Sequence, residues 1–288
     1  EKIEMTFVSV NAPAKVNLYL HVTGKRADGY HLLDSLFVFA ADGDVVTVGD
    51  SDGLTLDITG NYAGSLSNGE DNIVIKAARA LAKASGVEPK AAIGLKKNLP
   101  VASGIGGGST DAAATLKALS RLWNVALPDE KMREIALALG ADVPSCLVAK
   151  PVCVSGVGER LTPAPKLPRL CLLLVNPNRP VSTPAVFKSR APVFTAPAPF
   201  TREMTDFAEF VDELKKRRND LCDAARALEP AVSDVLDALE SDPLCRLARM
   251  SGSGGTCFGV FESGEDASLC LQRLKKDRAD WWFLNTVA

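Results

Sequence analysis

Residues 100–119 read PVASGIGGGSTDAAATLKAL. Glycine fills four of the five positions 104–108, and alanines and leucines at helical spacing follow at once. Glycine runs leave backbone N–H groups unobstructed, and a helix start adds unpaired N–H donors with a partial positive end. Together these make a phosphate cradle. The same residues also suit a tight turn followed by a Ser-Thr-Asp cap. Two common nucleotide templates are absent. No lysine follows the last glycine as G-x-x-x-x-G-K-[ST] requires, and Ser109 stands where the dinucleotide fingerprint needs glycine.

Upstream, Ala14, Val16, Leu18, Leu20 and Val22 share one parity while Lys15, Asn17, Tyr19 and His21 share the other. Period two predicts a strand over 11–24 with an apolar face and a polar one, so Lys15 and Asn17 point the same way. DSLFVFA predicts a second strand, and ADGDVVTVGD and SDGLTLDITG read as further strands broken by Asp-Gly turns. DNIVIKAARALAKASG has helical spacing and stops at Gly86. After the glycine run, 111–123 is predicted helical, and Asp129 caps another helix ending in a left-handed Gly140. A proline-rich stretch, APKLPRLCLLLVNPNRPVSTPAVF, suggests a domain boundary near residue 160, giving domains 1–160 and 161–288. Helices follow around 202–218, 223–240 and 266–275, with a strand–turn–strand element at MSGSGGTCFGVFES. The pattern is α+β rather than regular β-α-β alternation.

Composition narrows the function classes. The 288 residues are 47% hydrophobic and 24% charged, with a net charge of −2. This balance offers no pull toward nucleic acid or an anionic membrane, so neither is expected as a partner. No apolar stretch has the length of a bilayer-spanning helix, and no basic-then-apolar leader is read. Seven scattered cysteines without a C-x-x-C pair read as reduced thiols of a cytoplasmic protein. Two histidines, His21 and His31, do not make a histidine-rich metal site. The run Lys215-Lys216-Arg217-Arg218 reads as a solvated helix end.

Several residues carry open alternatives. Asp142 lies between Gly140 and Pro144, on a turn able to aim a carboxylate or simply to cap a helix. Lys15 is either a strand-edge lysine reaching solvent or a buried cation that needs a partner. The second glycine cluster, SGSGG at 251–255, either closes over a ligand or only turns a hairpin.

Three stretches, PAKVNLYLHVTGKRADGYH, PVASGIGGGSTDAAA and SGSGGTCFGVF, resemble the three motifs of the GHMP small-molecule kinases. KVNL at 15–18, RADGYH at 26–31, GADVP at 140–144, GVGE at 156–159 and STPAVF at 182–187 sharpen the resemblance. They point to the branch acting on a cytidine-diphosphate-linked methylerythritol in the non-mevalonate isoprenoid route. These blocks run in order from about residue 11 to 261.

The resemblance implies a two-domain GHMP kinase fold. Its amino-terminal domain is of the ribosomal-protein-S5-domain-2-like type and its carboxy-terminal domain is ferredoxin-like α/β, with the active site in the cleft between them. It implies ATP and Mg²⁺ as cofactors, phosphorylation of the substrate's 2-hydroxyl, and a chain acting as monomer or homodimer. Lys15 and Asp142 are implied as the catalytic pair, with Asp142 either an early base or a positioning group. Pro100, Val101, Ala102, Ser103, Gly104, Ile105, Gly106, Gly107, Gly108, Ser109 and Thr110 are implied as the triphosphate anchor. Asn72 and one of Lys96 or Lys97 are implied near adenine and phosphate. Ser109 and Thr110 each carry a hydroxyl able to reach magnesium, although no carboxylate pair declares a metal cage. On the substrate side, Asn17 meets the sugar alcohol, Tyr30 stacks on cytosine and His31 reads its edge. Phe187 supplies an opposing face, Thr183 a hydrogen bond, and Phe37 a further apolar wall. A homoserine-type kinase, a nucleotide-binding protein without chemistry and an RNA-binding module are the competing readings.

Overall fold

The structure, a computed structural model, describes residues 7–288. They gather into two compact units whose sequence segments interleave. One takes residues through 14, 42–101 and 106–149, and the other 15–41, 102–105 and 150–288. A single cut near residue 160 does not describe this division. The two long strands β1 (Phe7–Lys25) and β2 (His31–Gly49) each give one half to either unit.

In the first unit, β3 (Leu54–Thr59) runs through α1 (Ile73–Ser85) into β4 (Ala91–Lys96). β3 pairs parallel with β4, and residues 45–49 of β2 pair antiparallel on β4's other side. Then come α2 (Gly107–Leu122), α3 (Asp129–Leu139) and α4 (Val143–Val148). The Asp42-Gly43 pair, expected as a turn, lies inside β2 instead. A Cβ at Gly43 would overlap the Ala12 carbonyl oxygen and reach Pro13 Cα at 2.7 Å, so this glycine serves a close backbone approach. Val46, Val48, Ile93 and Leu95 from the strands are buried, as are Val74 and Leu81 of α1 and Leu116 and Leu119 of α2. Each such side chain contributes roughly 1.5–3 kcal/mol through burial. The alanines of α2 let α1 and α4 both pack against it.

Helix ends carry three lessons. α1 stops at Gly86, as its sequence predicts, with that glycine in the left-handed region and Asn72 as the helix's N-cap. α2 starts at Gly107, one turn before the predicted 111, because the last two glycines of the run are themselves its first turn. α3 is preceded by Pro128, Asp129 is its first residue rather than its cap, and Gly140 is extended, with φ 166°, not left-handed.

The second unit uses residues 33–37 of β2, which pair antiparallel with β5 (Val152–Gly156); β5 in turn pairs with β6 (Arg160–Pro163). After β7 (Cys171–Asn176) come α5 (Thr183–Ser189), α6 (Phe207–Lys215), α7 (Cys222–Leu228) and α8 (Ala231–Glu240). The expected helix at 223–240 is two helices, broken at Pro230, which precedes α8. β8 (Leu247–Met250), β9 (Cys257–Phe261), α9 (Gly264–Asp277) and β10 (Trp282–Val287) complete the chain. β10, β7, β9 and β8 form an antiparallel sheet in that order, with α8 and α9 packed against it. Its core includes Leu173, Val175, Val235, Leu236, Leu239 and Phe261, joined by Leu20 and Val22 of β1.

Candidate functional site

In the first unit, the glycines at 106–108 lead into α2 and leave the helix start open. Gly106, with φ 66° and ψ 20°, stands before the helix and no side chain caps it. The first intrahelical bond runs from Thr110 N to Gly106 O at 2.9 Å. The amides of Gly107, Gly108 and Ser109 therefore precede the helix's own ladder. Gly108 is exposed, and a Cβ there would meet nothing nearer than Ile73 Cγ2 at 4.0 Å. Upstream, φ is positive at Ala102 (51°), Gly104 (76°) and Gly106 (66°).

Of the paired lysines, Lys96 is exposed, whereas Lys97 is only 2% exposed. The Lys97 ammonium donates to Asp44 Oδ2 at 2.5 Å and to Asp111 Oδ2 at 2.6 Å. Burial opposes its charge, but the two carboxylates outweigh it and hold the lysine above its ordinary pKa. Burial likewise pushes the Asp111 carboxyl up to about 7, against the pull of Lys97. Asn72, expected near adenine, spends its side chain locally: Oδ1 accepts from Val74 N at 2.9 Å and Nδ2 donates to Ser67 O at 2.6 Å. Asp142 directly precedes α4, half-buried. Its carbonyl accepts from Cys146 N and Ser145 Oγ, and its carboxylate does not cap the helix.

In the second unit, the polar face of β1 turns out to be an inner face. Lys15 is 4% exposed, and Asn17, Tyr19 and His21 are buried as well. Burial of Lys15, Asn17 and Tyr19 is tolerable because the polar group of each has a partner, while His21 Nε2 accepts from Arg218 N at 3.3 Å. Lys15 Nζ donates to Asn17 Oδ1 at 2.8 Å and lies 4.2 Å over the Phe37 ring. Asn17 Nδ2 donates to Ser35 Oγ at 3.0 Å, and Tyr19 Oη to Asp34 Oδ1 at 2.9 Å. Lys15, Asn17 and Phe37 are thus brought together.

The second glycine cluster holds the first half of the glycine run. Ser251 Oγ accepts from Asn17 N at 3.1 Å and donates to Gly104 O at 3.0 Å, while Thr256 N donates to Ser103 O at 3.0 Å. Lys15 N donates to Ile105 O at 2.9 Å. A Cβ on Gly104 would overlap the Ser251 carbonyl oxygen and approach Gly254 O at 2.7 Å.

Farther along the same unit, the His31 and Phe187 rings stack on each other, with centroids 5.1 Å apart and planes 28° apart. Tyr30 is 65% exposed. Burial, and then the charges of Arg190 and Lys25, hold His31 below its ordinary pKa, which favours the neutral ring. Thr183 Oγ1 and Ser253 Oγ are 2.6 Å apart. Ser35, Asp44 and Asp111 escape a reading of the sequence alone, whereas Ser251 and Ser253 lie in the second glycine cluster, whose role the sequence left open. Asp111, on the inward stripe of an alanine-rich helix, is the one with a visible signal.

The model of the GHMP kinases N terminal domain matches residues 72–150, and that of the GHMP kinases C terminal matches residues 200–279. The chain is 51% identical to the 4-diphosphocytidyl-2-C-methyl-D-erythritol kinase of Rhodospirillum rubrum, over 94% of this chain and 89% of the relative. It is 52% identical to the kinase of that name from Paramagnetospirillum magneticum, over 96% of this chain and 97% of the relative. A crystal structure of 4-(cytidine 5'-diphospho)-2C-methyl-D-erythritol kinase superposes with a TM-score of 0.80 at 31% identity, covering 98% of this chain and 99% of the other. Homoserine kinase from Cytophaga hutchinsonii shares the fold, with a TM-score of 0.67 at 20% identity over 100% of this chain and 96% of the other.

Proposed function

Because this chain belongs to the GHMP kinase family, among its 4-diphosphocytidyl-2-C-methyl-D-erythritol kinases, we propose that it phosphorylates 4-(cytidine 5'-diphospho)-2-C-methyl-D-erythritol. ATP is the donor and the 2-hydroxyl the acceptor, in the non-mevalonate route to isoprenoids. The observation that carries the reading is identity above 50% along nearly the whole chain to kinases of that name. The uncapped glycine start of α2 supports the nucleotide half of it.

Phosphoryl transfer needs an anchored triphosphate, an aligned hydroxyl and positive charge for the developing anion. Residues 100–110 are the anchor, with the amides of 107–109 meeting phosphate oxygens, and Lys96 lies on the nucleotide side. The substrate oxygen bonds to the γ-phosphorus as the bond from that phosphorus to the bridging oxygen breaks. ADP departs, and the hydroxyl proton passes to Asp142. Lys15, oriented by Asn17, supplies positive charge near the reacting oxygen. Tyr30, His31, Phe187 and Thr183 take the cytidine, and Phe37 backs Lys15.

The residues suit Mg²⁺ carried on the nucleotide. Among the described residues no three His, Cys, Asp or Glu side chains cluster to hold a metal, and Mg²⁺ commonly relies on phosphate oxygens plus few protein ligands. Thr110 is only 1% exposed whereas Ser109 is half-buried, which makes the Ser109 hydroxyl the better-placed ligand. When bound, the ion neutralises charge on the phosphates.

Incubation with ATP and, in turn, the cytidine-linked alcohol, homoserine and mevalonate tests the proposal, with product mass as readout. Only the cytidine-linked alcohol is expected to gain a phosphate, and preference for homoserine would sink the reading. Asp142→Ala is expected to lower turnover about 10²–10⁴-fold, the usual worth of general-base assistance, with nucleotide affinity nearly unchanged.

A further inference from the structure

Asp44, Lys97 and Asp111 are three charged side chains, none more than 2% exposed, drawn from β2, the segment after β4 and α2. Burying such a trio is expensive, and apolar side chains of similar volume often stabilise a fold as well or better. Stability alone is therefore a weak reason for it. What the trio supplies is geometry.

Asp44 holds the chain as it leaves β4. Its Oδ1 accepts from Asn98 N at 2.6 Å and from Leu99 N at 2.8 Å, while Oδ2 takes the Lys97 ammonium. The Asn98 side chain adds a bond to Gly43 O at 2.8 Å. On the other side, the ammonium lies against the first residue of α2, since a Cβ on Gly107 would stand 3.0 Å from Lys97 Nζ. Asp111, four residues on and so on the same helix face, takes the second ammonium bond. Asp111 Oδ1 is buried without a hydrogen-bond partner among the described residues, which leaves Oδ2 and its bond from Lys97 as the side chain's tie to the clamp. Two of the three ammonium N–H bonds are thereby directed to protein carboxylates rather than outward.

We infer that Lys97, clamped between Asp44 and Asp111, is a positioning residue for the nucleotide: it fixes the first turn of α2, and so the direction of the amides at 107–109, without itself touching phosphate. This rests on the reading that those amides bind ATP. It replaces a direct phosphate contact by Lys97.

Binding of a fluorescent ATP analogue, steady-state kinetics and melting temperature, measured on the wild-type chain, Asp111→Asn and Lys97→Met, test it. In Asp111→Asn, which keeps the side-chain shape, Kd for the analogue and KM for ATP are expected to rise about tenfold. KM for the cytidine-linked alcohol should stay within about twofold. Lys97→Met should do at least as much to the nucleotide. If Lys97→Met weakens nucleotide binding while Asp111→Asn leaves it unchanged or tightens it, the lysine touches phosphate directly and the inference is wrong. If both variants lower the melting temperature with nucleotide affinity intact, the trio only holds the fold, which also overturns it. Should Lys97→Met fail to fold, Asp111→Asn decides alone. A wild-type chain that binds the analogue but phosphorylates no cytidine-linked alcohol would defeat the substrate proposal, leaving this inference to be judged on Kd.

Discussion

Gly104 and Gly108 lie four residues apart in one run, yet they are glycines for different reasons. Gly104 is crowded: its φ is 76°, and any Cβ would strike the backbone of residues 251–254. Gly108 is helical and exposed, with open space where a side chain would go. A glycine hemmed in by its own protein is explained by the fold. One with room, at an uncapped helix start, has no packing reason to be glycine, and the proposed phosphate contact supplies a reason. Packing thus divides the run into a part that the protein grips and a part left open, which the proposed function assigns to phosphate.

The largest effect expected from this contrast belongs to Gly104→Ala. The left-handed backbone costs an alanine about 1–2 kcal/mol, and overlap with fixed carbonyl oxygens adds roughly 1–3 kcal/mol. At about 2–4 °C per kcal/mol for a chain of this size class, the melting temperature should fall on the order of 10 °C. A melt unchanged within error would mean that the loop relaxes freely and that residues 251–256 do not grip it.

Gly108→Ala should behave in the opposite way. Alanine in a helical position without a clash adds about 0.4–1 kcal/mol of stability by restricting the unfolded chain, so the melting temperature should hold or rise slightly. KM for ATP should nevertheless increase, by roughly tenfold if one phosphate contact is lost, while KM for the alcohol stays put. Equal ATP kinetics in this variant would remove the phosphate role from the start of α2.

How much of this was legible in the residues follows from the range of the interactions. The parity of β1 is local, so the shared direction of Lys15 and Asn17 reads directly from KVNL. That the polar face is buried does not, because its partners Ser35, Asp34 and Ser251 come from distant segments, Ser251 lying 234 residues from Asn17. The Asp42-Gly43 pair carries the signal of a turn, but it is outvoted by the approach of the Ala12–Pro13 backbone, a tertiary fact. β10 escapes because WFLNTV is short and, with most of its residues half-buried, lacks a clean alternation. The glycine run advertises a phosphate site; which glycines are crowded and which are open is a matter of packing. For the same reason, the neighbouring lysines 96 and 97 look interchangeable in sequence while one is exposed and the other is clamped.

The smallest effect is at Ala102, which sits with φ 51° in the part of the run assigned to the second unit. This residue accepts the left-handed region despite its Cβ, at a cost of about 1–2 kcal/mol. Its carbonyl accepts a long bond of 3.5 Å from Val181 N, and its side chain is exposed. Glycine would relieve the strain, offset in part by roughly 0.5–1 kcal/mol of extra freedom in the unfolded chain. Ala102→Gly should therefore raise the melting temperature by about 1–2 °C and leave KM for ATP unchanged. That outcome separates strain from grip: the bonds at Gly104 and Ser103 would hold the loop whether or not residue 102 is strained. If KM for ATP rose instead, the methyl group of Ala102 would itself be limiting the loop's conformations, and the part held for the fold would extend its influence into the part kept for the nucleotide.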